Sequence, residues 1–123
     1  MDRMKKERPS TFEHFLYRFD VYIPLTDIAG ERVDSGKIIA IRDELVTRFG
    51  GLTMTAIVGN PVYEGFWKSP DTGKVAKDKN SIFTVLVPQV PESVKFFLDK
   101  KDQWRMSLNY EEILITVHEI QVI

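Results

Sequence analysis

Four apolar residues, Ile38, Ile41, Leu45 and Phe49, recur at three- and four-residue steps and run straight into the pair Gly50-Gly51. The spacing predicts a helix with one apolar stripe and an abrupt stop. Glycines cradle a phosphate when they precede a helix, where free N–H groups and the positive end of the dipole face the anion. In "RFGGLT", residues 48–53, they follow it instead, where free carbonyls carry partial negative charge. The pair therefore reads as a helix end, with Gly50 or Gly51 supplying the left-handed residue and Arg48 suiting the dipole. Asp34 or Ser35 can cap the start.

Alternating stretches flank this helix. In "FLYRFDVYIPL", Tyr17, Phe19, Val21 and Ile23 point one way and Arg18, Asp20 and Tyr22 the other, a strand with one buried face. "LTMTAIV" alternates again, and "GNP" at 59–61 interrupts it before "VYEGFWKS". "SPDTG", residues 69–73, is a turn signal, with Gly73 suited to a left-handed position. "SIFTVLV" is apolar on both faces, which predicts a central strand. A second helix is expected to begin at Pro91 or Glu92, with Val94, Phe97 and Leu98 on one side, and Trp104 capping the core near its end. "EEILITVHEIQVI" closes the chain as a fourth strand. The order strand, helix, strand, strand, helix, strand predicts an α+β, ferredoxin-like βαββαβ domain. Its four-stranded antiparallel sheet would have the order 4-1-3-2, both helices on one face, and a long hairpin between the second and third strands. Residues 1–11 read as a flexible leader and 12–123 as the single domain.

Net charge is −1, so nothing draws the chain as a whole toward nucleic acid or an anionic membrane. There is no Cys, which excludes disulfides, thiolate catalysis and Cys-based zinc sites and fits a reducing compartment. No apolar run reaches the roughly 20 residues of a membrane span, and the charged start is not followed by a long apolar stretch. A cytoplasmic protein is expected, without membrane or nucleic-acid partners.

A strand, a helix ending in "RFGGLT" and then "EGFW" at 64–67 resemble small bacterial domains of unknown function with an FGG-x-T…G-x-W pattern, over roughly residues 16–90. The motif is a helix stop, a strand start and an aromatic in the hairpin. The resemblance implies a ferredoxin-like fold and brings no activity with it.

The face of the sheet turned away from the helices carries the functional expectations. Alternation assigns to it Arg18, Asp20, Tyr22, Thr53, Thr55, Ile57, Ile82, Thr84, Leu86, Leu114, Thr116 and His118. So mixed a face is unusual on a monomer, which predicts a homo-oligomer, a dimer first, or a ligand that fills the patch. His118 beside Asp20 is the candidate acid–base pair, with Arg18 and Tyr22 as anchoring groups. Tyr63 and Trp67 in the hairpin offer aromatic surface to a ligand or partner. Glu64 with Lys68, and Asp71 with Lys74, read as charge pairs of the hairpin. His14 and His118 lie far apart without ligand spacing, so no metal and no cofactor are expected. Three function classes follow: an oligomeric module binding a small molecule or a protein, a cofactor-free enzyme of the dimeric α+β barrel type, and a trimeric regulator resembling the PII signal-transduction proteins. The absence of a recognisable nucleophile, metal cluster or cofactor motif favours the first.

Overall fold

The structure, a computed structural model, describes residues 15–55, 57 and 63–123, the side chains of Trp67 and Ala76 excepted. The expected leader, His14 and the "GNP" interruption lie outside the described residues. The elements in chain order are β1 (Phe15–Pro24), α1 (Ser35–Phe49), β2 (Thr53–Met54), β3 (Tyr63–Lys68), β4 (Val75–Pro88), α2 (Pro91–Ser107) and β5 (Ile115–Gln121). The sheet is antiparallel and five-stranded, in the order β2-β4-β1-β5, with β3 also paired to β4.

This corrects the expected four-stranded ferredoxin-like sheet. The stretch read as one second strand is two, β2 and β3, which lie one after the other along the same edge of β4. Thr53 faces Thr84 and Tyr63 faces Asn80, ten residues on one side against four on the other, so the registers of β2 and β3 on β4 differ by six. The break begins at Thr55. Its N–H still donates to the Ile82 carbonyl at 3.2 Å. The return bond is made by a side chain: Ile82 N–H donates to Thr55 Oγ1 at 3.0 Å, while the Thr55 carbonyl accepts from the buried Ser81 hydroxyl at 2.9 Å. A hydroxyl has thus replaced a carbonyl in the ladder. Ile57, expected on the open face, packs against the core instead. The turn in "SPDTG" joins β3 to β4, with Gly73 at φ 71° and its N–H bonded to Ser69 O at 2.9 Å. Glu64 pairs with Lys77 at 3.2 Å rather than with Lys68.

The core lies between one sheet face and both helices. Phe19, Val21 and Ile23 of β1 and Phe83, Val85 and Val87 of β4 meet Ile38, Ile41 and Leu45 of α1 and Phe97 and Trp104 of α2. Each fully buried aliphatic or aromatic side chain here contributes about 1.5–3 kcal/mol of transfer free energy. Leu98 was expected beside Phe97 on the inner side of α2; it is 67% exposed. Trp104 is buried, and its indole N–H donates to Glu44 at 3.0 Å, so the polar tip of the ring is satisfied across the helix pair.

Helix α1 begins at Asp34, whose carboxylate accepts the Gly36 N–H at 3.1 Å, and ends at Gly50, with φ 90° and its N–H bonded to Val46 O at 2.7 Å. Gly51 does not have positive φ. A Cβ at Gly50 meets nothing within 4 Å, so a substitution there is resisted by backbone conformation alone. Gly50→Ala is expected to cost about 1 kcal/mol in chemical denaturation, and Gly51→Ala clearly less. Equal costs at the two positions would contradict the assignment of Gly50 as the helix stop.

Candidate functional site

The register of the strands sets out the uncovered sheet face as a grid. Across the middle run Thr116, Asp20, Thr84 and Thr53, each opposite the next. The row on one side holds Leu114, Tyr22 and Ile82, and the row on the other holds His118, Arg18 and Leu86. Beyond Tyr22 come Pro24, Asn80 and Tyr63. A polar stripe of three threonines and a carboxylate therefore crosses the sheet between a largely apolar row and a mixed row of His118, Arg18 and Leu86.

Asp20 is the unusual member. It sits on the central strand β1, faces away from the core, and is still only 7% exposed. Its Oδ1 accepts from the Thr84 hydroxyl at 2.6 Å and from Arg18 Nε at 3.2 Å. These bonds offset part of the cost of taking a carboxylate out of water. Arg18 remains half exposed. The local charge is balanced before any ligand arrives.

The structure gathers Arg18, Asp20 and Tyr22 on one face, as β-strand alternation requires. His118 shares that face and is exposed. Its cross-strand partner is Arg18, while Thr116 lies opposite Asp20. His118 is therefore diagonal to Asp20, at a Cβ separation of about 7 Å. Among the described residues its ring makes no hydrogen bond. Tyr63 is exposed at the near end of β3. Trp67 pairs through its backbone with Ala76, and its side chain lies outside the described residues. Thr84, the shortest contact of Asp20, was not singled out from the sequence as a site residue; nor were Thr116 and Thr53. The available signal was that all three alternate onto the face of Asp20, but only the register puts them in one row.

An open groove of about 620 Å³ lies on the opposite side of the molecule between α1 and α2. Ala40, Asp43, Glu44, Thr47, Arg48, Phe96 and Lys100 line it. Its charges are largely engaged within the protein: Glu44 accepts from Trp104 and pairs with Lys100, and the Arg48 guanidinium lies 5.4 Å from the centre of the Phe96 ring. It reads as the outer seam of the helix pair, whereas the sheet face buries a carboxylate that the core does not need.

Two groups with displaced titration lie at other places. Backbone N–H groups of Glu31 and Ala29, 2.9 Å from Asp27 Oδ1, hold the carboxyl of that loop residue below its usual range. That contribution to stability is present at neutral pH and is lost as pH falls through the lowered value. Burial, then a hydrogen bond to Asp78, pushes the Tyr110 hydroxyl up, so it stays protonated. Asp27 ties its loop to Asn109, and Tyr110 ties the segment after α2 to β4. Among the described residues there is no cluster of three or more metal-ligating side chains, and no helix is long and apolar enough to cross a membrane.

No protein-family model matches the chain, and no curated protein matches it. Among solved structures it is similar to a phage SAM lyase in complex with S-methyl-5'-thioadenosine, with a TM-score of 0.64 over 94% of this chain and 87% of that one. Identity is 8%, so the likeness is one of fold.

Proposed function

We propose that this is a small-molecule-binding domain, working as a homo-oligomer, whose ligand lies on the uncovered sheet face over the row Thr116, Asp20, Thr84 and Thr53. The observation that carries the reading is Asp20. Its burial costs free energy, and its position on the far side of the sheet gives the core nothing in return. Retaining it makes sense if its carboxylate serves something that binds on that face. Because Arg18 already neutralises it, the site suits an uncharged or zwitterionic ligand with hydroxyl or amine donors better than a phosphate. The flanking Tyr22, Ile82 and Leu86 suit a flat apolar ring.

A thioether nucleoside has that mix of ring, hydroxyls and apolar tail, and a protein of the same fold was solved with one bound. S-methyl-5'-thioadenosine is therefore the first ligand to test by calorimetric titration. Binding is expected for the wild type, weakened about tenfold or more by Asp20→Asn and by Thr84→Val, with folding intact. No heat at millimolar ligand, or equal affinity in all three proteins, would overturn the reading.

The similar fold in a lyase favours a second, catalytic reading, with His118 and Asp20 as acid–base groups and Arg18 and Tyr22 as anchors. Its test is incubation with SAM, with release of S-methyl-5'-thioadenosine followed by chromatography. Turnover abolished by His118→Ala would establish it, and no turnover above the spontaneous rate would leave the binding role alone.

A further inference from the structure

We propose that the free edge of β5 pairs with the same edge of a second copy, antiparallel about a two-fold axis at His118, so that one sheet runs on into the next. The inference does not depend on the ligand; it rests on the direction of the backbone groups in β5.

Tyr22 N–H donates to the directly opposite Leu114 carbonyl at 2.9 Å, which fixes the phase of the ladder between β1 and β5. Thr116, His118 and Ile120 accordingly turn their N–H and C=O groups inward to β1. Ile115, Val117, Glu119 and Gln121 turn theirs outward, where among the described residues nothing receives them.

Of the usual protections of such an edge, β5 carries only the charge of Glu119. β5 has no Pro, Lys or Gly, and Leu114 and Val117 are 55% and 48% exposed beside it. The opposite edge is divided between β2 and β3, whose registers on β4 differ by six, which makes β5 the better edge for pairing.

One register satisfies all four outward residues. It sets Ile115 against the partner's Gln121 and Val117 against the partner's Glu119, with the reciprocal pairs given by the symmetry. Sliding two residues one way leaves Gln121 unmatched. Sliding two the other way sets Glu119 against the partner's Glu119, a like-charge clash. In the favoured register His118 faces the partner's His118 in a non-hydrogen-bonded pair, with Cα atoms about 4.5 Å apart, and Leu114 faces the partner's Val122. Both histidines lie on the open face beside Arg18, so each copy extends the candidate site of the other.

The chain has no cysteine, which makes the test direct. His118→Cys should form a reducible disulfide dimer under mild oxidation, since the pair has the required Cα separation. Thr116→Cys should stay largely uncrosslinked, because its two copies would lie about 13 Å apart along the strands. Val117→Pro, which removes an outward N–H and leaves the β1 ladder intact, should convert a dimer to a monomer in sedimentation equilibrium with unchanged circular dichroism. A wild type that is monomeric at tens of micromolar, crosslinking no better at 118 than at 116, or a Val117→Pro protein that remains dimeric would each overturn the proposal.

Discussion

Phe97→Ala is expected to be among the most damaging single substitutions in the chain, lowering the free energy of unfolding by about 3–5 kcal/mol. Phe97 is 2% exposed and joins the sheet to both helices. Its ring stacks on Phe19 of β1 with centroids 4.0 Å apart and an interplanar angle of 18°, and lies parallel to Phe49 of α1 at 5.6 Å. Phe96 and Trp104 meet it edge-on at 5.2 and 6.3 Å. Truncation removes the apolar area, the aromatic contacts and the partner of each neighbouring ring, and four aromatic rings cannot easily collapse into the space. Leu98→Ala, one residue on, should cost less than about 0.5 kcal/mol because that side chain points into solvent. Urea denaturation of both variants checks the pair. Similar losses at the two positions would mean that α2 is rotated from the orientation described.

The second large effect is expected at Thr55. Its hydroxyl lies 3.0 Å from the Ser81 hydroxyl and accepts the Ile82 N–H. The proton of Ser81 is committed to the Thr55 carbonyl, so Thr55 must donate to Ser81 Oγ while receiving from Ile82. Thr55→Val keeps the volume and leaves the Ile82 N–H and a buried Ser81 oxygen short of partners, at a cost of about 1–3 kcal/mol. Thr55→Ser keeps the hydroxyl and should lose less than about 1 kcal/mol. Equal stability of the valine variant and wild type would show that the break between β2 and β3 does not rest on this hydroxyl.

Thr55 also shows where the sequence stops being legible. Period-two alternation located β1 and the inner half of β4, and capping chemistry at Asp34 and Gly50 bounded α1, because these signals are local. "GNP" marked an interruption of the second strand locally, but the hydrogen bonds that Thr55 makes at its near side go to residues 26 and 27 positions away, which no local pattern announces. Leu98 was misplaced for a related reason. With Phe96, Phe97 and Leu98 in succession, periodicity allows more than one inner stripe, and stacking of Phe97 on Phe19 decides between them. The candidate site was legible as a face. Alternation assigned Arg18, Asp20, Tyr22 and His118 to it together, but rows across a sheet come from register, which long-range pairing sets. That is why Asp20 was matched with His118 from the sequence, while the structure gives it Thr84 and Arg18 as bonded partners and Thr116 as a lateral neighbour.

Register likewise ties the stability of the fold to the proposed site. Thr84 lies between Asp20 and Thr53, so the strand pairs that build the core on one face fix the carboxylate on the other. A ligand held there would meet groups already positioned and would lose little affinity to ordering them.

The central claim, that the uncovered sheet face is the binding surface, is tested most directly by amide chemical-shift mapping during titration with S-methyl-5'-thioadenosine. The account predicts that the largest shifts fall on Arg18, Asp20, Tyr22, Thr84 and Thr116, with the helix groove at Thr47, Arg48, Phe96 and Lys100 unmoved. Shifts centred on that groove, or none at millimolar ligand, would contradict it.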